Sequence, residues 1–181
     1  MIGVLVSGEG TNLQALLDDG LPVVAVASSS EGARALERAR AAGISANVFP
    51  LSAFETREAR DVAMGDWLER NDVLLVVCAG FMQLLTPAFL DRFPARVVNV
   101  HPSLLPAFAG TRPIDDAVEA RAAETGVTVH FVDEGVDTGP IIAQERLAIV
   151  PGESIDELRD RLHAIEHRLL PRVVRELVEP Q

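Results

Sequence analysis

The sequence has a single cysteine, Cys78, among its 181 residues, so it builds neither an intramolecular disulfide nor a cysteine-based metal cluster. It is also short of positive charge, with 16 Lys and Arg against 27 Asp and Glu and a formal net charge of -11. No long-range field gathers polyanions, which argues against nucleic acid or an anionic membrane as partner. The N-terminus lacks the charged and apolar regions of a signal peptide, and the apolar run Ile2 to Val6 is far too short to span a membrane. A cytoplasmic protein is the expectation. Internal repeats, low-complexity tracts and linkers are missing too. What is there, 48% hydrophobic and 24% charged residues, is the composition of one globular domain with a sizeable core.

Short apolar runs alternate with amphipathic stretches. Ile2 to Val6 is followed by a turn at Ser7-Gly8-Glu9-Gly10 and a helix from Thr11 to Asp19. Pro22 to Ala27 leads to a helix over Ala33 to Ala39 with Gly43 as its stop, and Ala46 to Phe49 leads to a helix over Thr56 to Arg70. The alternating charges of that third helix read as a solvated face. Val73 to Cys78 is apolar throughout, as a central parallel strand requires. This alternation predicts an α/β sheet with right-handed crossovers. After about residue 94 the pattern changes. Arg96 to Val100 runs into a Pro-punctuated loop, His101 to Pro106, and two more strands, Val127 to Val132 and Ile141 to Glu145, flank a Gly-containing turn. The last helix opens on a capping box, Ser154 with Glu157, and Pro171 is expected to kink or split it. The chain is thus expected to be one domain, 1–181, with halves at 1–94 and 95–181.

Three groups of residues offer chemistry. The turn Ser7 to Asn12 aims backbone N–H groups and a helix N-terminus out of the carboxyl edge of the sheet, which suits a phosphate. The third glycine of a dinucleotide fingerprint falls at Leu13, and no Gly-Lys-Ser/Thr follows, so a phosphomonoester fits best. The alternative is a plain turn in which Thr11 caps the helix and Gln14 completes the box. Asn99 and His101 leave one face at a strand end, where a neutral N–H donor and a titratable ring suit acyl transfer; a hydrogen-bonded loop anchor is the plainer reading. Asp137, in the turn after the next long strand, either supports His101 or merely forms the turn. No serine or cysteine is set up as a nucleophile: Ser103 lacks an elbow motif and Cys78 lies in a core strand. His163 and His167, four apart on the last helix, read as solvated rather than as metal ligands. With no protein nucleophile, the substrate supplies one.

The runs Ser7 to Leu16, Ala79-Gly80-Phe81-Met82, Asn99 to Pro106 and Val136 to Pro140 stand in an order and spacing that resembles the phosphoribosylglycinamide formyltransferases, folate-dependent enzymes of purine synthesis. The resemblance extends over essentially the whole chain, to Ile165-Glu166-His167. It implies the formyltransferase fold, an open, mostly parallel Rossmann-like sheet with helices on both faces and a mixed C-terminal part. It also implies transfer of the formyl group of 10-formyltetrahydrofolate, as cosubstrate, to the amine of glycinamide ribonucleotide through a tetrahedral intermediate, without a metal. By resemblance, Asn99 and His101 stabilise the oxyanion, and Asp137 holds His101 and relays protons through water. Gly10, Thr11 and Asn12 bind the phosphate with Arg57 as cationic partner, and Pro102 and Glu166 lie at the ribonucleotide and its amine. Met82, Gln83, Leu84, Leu85 and the Val132 to Asp137 loop hold the folate. A monomer or homodimer is expected.

Two departures from the family pattern stand out. Gln83 replaces a basic residue that in many relatives faces the folate glutamate tail. Gly110 to Ile114 replaces a His-containing loop, and its Pro113-Ile114 resembles the methionyl-tRNA formyltransferases. Those enzymes carry a further C-terminal domain for tRNA, whereas this acidic chain ends at Gln181, which weighs against that reading. The remaining alternatives are hydrolysis of 10-formyltetrahydrofolate, whose enzymes carry an N-terminal domain before the strand that Met1 opens here, transfer to another phosphorylated amine, and a non-catalytic sensor of phosphorylated ligands.

Overall fold

β1 (Ile2–Val6) is buried at every position, which a strand achieves only when both faces of its sheet are covered. Side-chain alternation divides the cover between two clusters. Ile2, Val4 and Val6 pack with Leu13 and Leu16 of α1 (Thr11–Asp18), Ala35 and Ala39 of α2 (Arg34–Ala41) and the apolar stripe of α6 (Ile155–Val178). Leu5 faces the other way, onto Met64 and Leu68 of α3 (Arg57–Arg70) and Phe89 of α4 (Pro87–Leu90). Each fully buried large side chain of this kind stabilises the fold by about 1.5–3 kcal/mol. The computed structural model describes residues 1–179; the last two positions of the expected domain, 180 and 181, lie outside the described residues.

The other strands are β2 (Val23–Ser28), β3 (Ser45–Val48), β4 (Leu75–Cys78), β5 (Val97–His101), β6 (Glu124–Phe131) and β7 (Ile141–Ala148). They form one seven-stranded sheet in the order β3-β2-β1-β4-β5-β6-β7. The first five are parallel, whereas β6 and β7 pair antiparallel with their neighbours. The expected α/β architecture with a mixed C-terminal part is what the chain adopts. The chain moves outward in one direction from β1 to β2 and β3 and in the other to β4 and β5, so the order reverses between β1 and β4. Open α/β sheets bind ligands in the crevice at such a reversal.

Several local expectations change. α6 runs unbroken through Pro171 instead of splitting. The Pro171 ring is buried on the same face as Leu170, Val173 and Val174, and that burial offsets the lost helical bond, about 3 kcal/mol. The Ser154 and Glu157 capping box is present in full. Pro113, read from sequence as part of a loop, is the first residue of α5 (Pro113–Glu119), and the acids Asp115 and Asp116 in its first turn complement the helix dipole. α3 is not simply a solvated charged face, because Arg60 and Asp61 in its second turn are both fully buried.

Candidate active site

A cleft of about 780 Å³ opens at the reversal of strand order. Its walls are the segments that follow β1, β4 and β5, the β6–β7 turn, and one face of α6. Every residue expected to act in chemistry or binding lines it except Arg57, which sits exposed in the first turn of α3. The cations that do reach the cleft are Arg112 and Arg159.

The turn after β1 is shaped by Gly10. Its φ is +72°, and a Cβ there would lie 2.5 Å from the Cβ of Ala35, so only glycine both takes the left-handed conformation and lets α2 come this close. Gly10 is the N-cap of α1 and offers no side-chain acceptor, while Thr11 is already helical. The cap that Thr11 and Gln14 were free to make is therefore not used: the Gln14 amide donates instead to Asp18 Oδ1 at 2.8 Å. The first amides of α1 keep their N–H groups for an anion. Around them, Glu9 pairs with Arg34 at 3.1 Å and its carbonyl accepts from Arg38 Nε at 2.9 Å, which ties the turn to α2.

Period two along β5 puts Val98 and Val100 in one core cluster and leaves Asn99 and His101 on the opposite face. The structure brings Asp137 to both. His101 Nδ1 lies 3.4 Å from Asp137 Oδ2, and Asn99 Nδ2 donates to Asp137 Oδ1 at 3.4 Å. On the far side of the ring, His101 Nε2 donates to the Phe108 carbonyl at 2.9 Å. Each ring nitrogen thus faces an oxygen acceptor. The loop behind His101 is held from within: Ser103 Oγ donates to the Ala107 carbonyl at 2.6 Å and Thr128 Oγ1 to the Ser103 carbonyl at 2.7 Å. Ser103 is an anchor, not a nucleophile. Cys78 borders the cleft, but burial pushes its thiol up to about 12, which leaves it inert.

His130 is a cleft residue beside this donor set that sequence reasoning missed. Directly opposite Asn99 in the β5–β6 pairing, it has Nε2 3.2 Å from Asn99 Nδ2 and 3.5 Å from Asp137 Oδ1. Its Nδ1 donates to the Phe131 carbonyl at 2.7 Å. A neutral ring therefore accepts from Asn99 through Nε2, whereas a charged ring donates to Asp137. The register of β6 against β7 shifts between Val129 and His130, a local irregularity of the kind that re-aims side chains near active sites. The apolar positions Val127 and Val129 alternating with Thr128 and His130 were the signal available in sequence.

Burial alone would make Asp137 harder to ionise. Contacts from the His130 ring and the Gly110 N–H, together with the charges of His101 and His130, outweigh that effect and hold the carboxyl below the usual carboxylate range. Gly110 N donates to Oδ2 at 3.0 Å. Asp137 itself has φ +54°, a left-handed conformation that Asp and Asn tolerate better than most residues. Nearby, Asp133 Oδ1 accepts from Gly135 N at 3.0 Å and from Thr138 Oγ1 at 2.7 Å, which closes the turn. A Cβ at Gly139 would fall 1.9 Å from the Phe131 carbonyl oxygen, so the turn folds back only with glycine there.

Glu166 reaches the cleft from α6, with 4% of its surface exposed. Asn12 Nδ2 donates to its Oε2 at 2.9 Å, joining the first turn to the last helix. Burial raises the Glu166 carboxyl above the usual range, against the smaller lowering by the Asn12 hydrogen bond and the His163 charge. A raised folded value means that the protonated form is favoured by folding, and that this stabilisation disappears as pH rises through the folded pKa. Glu166→Gln keeps the group neutral. Thermal unfolding of this variant should exceed that of the parent at pH 8, by about 2–4 °C per kcal/mol relieved, and the gap should shrink to nothing near pH 4. A gap independent of pH would contradict this account. His163 and His167 are half-buried rather than solvated, their rings stacked with centroids 6.0 Å apart; burial, then the His163 charge, lowers His167.

The segment after β4 supplies an apolar wall. Met82 and Leu84 are exposed and Leu85 is buried, and Val132 and Val136 line the same cleft. Such a slot with few polar anchors fits a flat heteroaromatic ligand.

Comparison with known proteins agrees with this geometry. The formyl transferase family matches residues 1–174. The chain is 41% identical to the phosphoribosylglycinamide formyltransferase of Haemophilus influenzae over 98% of its own length and 87% of that protein. It is 42% identical to the trifunctional purine biosynthetic protein adenosine-3 of Chironomus tentans, of which it spans 13%. Among solved structures, glycinamide ribonucleotide transformylase 1 from Symbiobacterium toebii superposes with a TM-score of 0.94 at 44% identity, over 96% of this chain and 85% of that one. The cleft, its donor set and these likenesses agree, and the chain belongs to the formyl transferase family, among the phosphoribosylglycinamide formyltransferases.

Proposed function

We propose that this chain transfers the formyl group of 10-formyltetrahydrofolate to the amine of glycinamide ribonucleotide, a step of de novo purine biosynthesis. The observation that carries the proposal is one cleft holding both an anion-ready helix end at Gly10, Thr11 and Asn12 and a donor set of Asn99 and His101 backed by Asp137. The helix end and the Asn12 side chain place the phosphate. Glu166 lies beside Asn12, where its carboxylate orients the amine. Asn99 Nδ2 and His101 Nδ1, each only loosely held at 3.4 Å from Asp137, turn their N–H groups to the formyl oxygen as it gains negative charge, while His101 Nε2 stays on the Phe108 carbonyl. Asp137 holds the His101 ring and relays, through water, the proton that the attacking amine loses to the folate nitrogen, whose bond to the formyl carbon breaks to release tetrahydrofolate. The folate supplies the activated formyl group, and its ring fits the slot formed by Met82, Leu84, Leu85 and Val132 beside Gln83. Pro102, at the cleft wall after His101, borders the ribonucleotide. No helix among the described residues is long and apolar enough to cross a membrane, and a cytoplasmic location agrees with this substrate pair.

The deciding experiment measures loss of 10-formyltetrahydrofolate by absorbance with glycinamide ribonucleotide, with other phosphorylated amines, and with no amine. Turnover is expected only with the ribonucleotide. Formate release without any amine would establish the hydrolase instead, and faster turnover with another amine would reassign the acceptor.

A further inference from the structure

Arg60 and Asp61 are an unusual pair for the inner face of a helix. Both side chains are fully buried and paired, with Arg60 Nε 2.8 Å and Nη2 2.6 Å from Asp61 Oδ1. Packing alone does not call for this, since a buried ion pair is commonly matched or bettered in stability by apolar residues of the same size. What charged groups add is direction, and every outward bond of the pair goes to one short stretch after β4. Arg60 Nη2 donates to the Leu84 carbonyl at 3.1 Å and Nη1 to Gln83 Oε1 at 3.3 Å. The guanidinium carbon lies 5.6 Å from the centroid of the Phe81 ring. Asp61 Oδ2 accepts from Thr86 N at 2.7 Å.

Residues 81–86 belong to no helix or strand, so these contacts set their shape. The same residues hold Met82 at 69% and Leu84 at 46% exposure on the cleft wall. Apolar side chains without support would collapse onto each other or onto the sheet; fixed in place, they form a preorganised slot. We infer that the buried Arg60–Asp61 pair positions the 81–86 segment for the folate and so sets folate affinity, an inference that rests on the function proposed above. The pair touches neither substrate and acts through Leu84, Gln83 and Thr86.

The test is the double variant Arg60→Met/Asp61→Leu, which removes both charges together and leaves no unpaired ion. The KM for 10-formyltetrahydrofolate is expected to rise by about tenfold or more while that for glycinamide ribonucleotide changes by less than about twofold. Amide hydrogen exchange over residues 81–86 is expected to quicken by at least about tenfold, with the melting temperature kept. A folded double variant with the parental folate KM and parental exchange overturns the inference and leaves the pair a purely structural feature. If the double variant does not fold, Asp61→Asn is measured in the same way. A selective rise in folate KM supports the inference, and equal changes in both KM values, or none, overturn it. Absence of turnover by the parent protein would instead defeat the proposed function, and the exchange data would still decide whether the pair holds the segment.

Discussion

His101→Ala is expected to lower kcat by about a thousandfold, because the variant loses both a donor to the developing oxyanion and the group that Asp137 supports. Binding of the ribonucleotide should survive, since the site proposed for its phosphate is the end of α1 and not β5. Titration calorimetry with glycinamide ribonucleotide and the folate absorbance assay on one protein sample separate the two effects. A variant that still turns over at more than about a tenth of the parental rate would remove His101 from the chemistry. A variant that also fails to bind the ribonucleotide would point to a wider collapse of the loop between His101 and Pro106.

Asp137→Asn carries the second large effect. Asn tolerates the left-handed backbone at this position, so the substitution removes charge with little added strain. The kcat is expected to fall by about 10²–10³-fold with the ribonucleotide KM nearly unchanged. Stability responds in a defined direction. The Asp137 carboxyl is held below its ordinary range, so its contribution is fully present above the unfolded value, about 4, and is lost as pH falls through the lower folded value. Parent and variant should therefore differ in urea midpoint at pH 7 and converge in strong acid. A difference that grows on acidification would mean that the neighbourhood opposes the charge.

How much of this was legible in the sequence depends on the range of the interaction involved. The β1 turn, the strand alternation and the capping box at Ser154 are local, and periodicity alone predicts them. Asn99 and His101 stood out because two residues on one face of a strand end are close whatever the rest of the chain does. His130 did not, because its role comes from lying opposite Asn99 in a pairing between positions 31 apart. The carbonyl of Phe108 and the N–H of Gly110 are backbone groups, to which side-chain identity is blind. Arg60 and Asp61 read as surface charge because a charge pattern does not reveal which side of a helix the next segment will cover. Pro113 followed by two acids was a readable helix start, overshadowed by its likeness to a loop in relatives. Arg57 is the converse case: family likeness places it at the phosphate, and the side chain lies exposed, outside the residues that line the cleft.

The hydrogen bond between Asn12 and Glu166 spans 154 positions of the chain, and this has a consequence for biosynthesis. A growing chain completes β1, the phosphate turn and most of the parallel sheet long before α6 emerges, at about 5–20 residues per second. Until α6 docks on α1, no carboxylate stands beside Asn12. The nascent protein can thus form the turn proposed to bind an anion early, but the proposed acceptor site is complete only after one of the longest-range contacts among the described residues has closed, the kind of contact that slows folding.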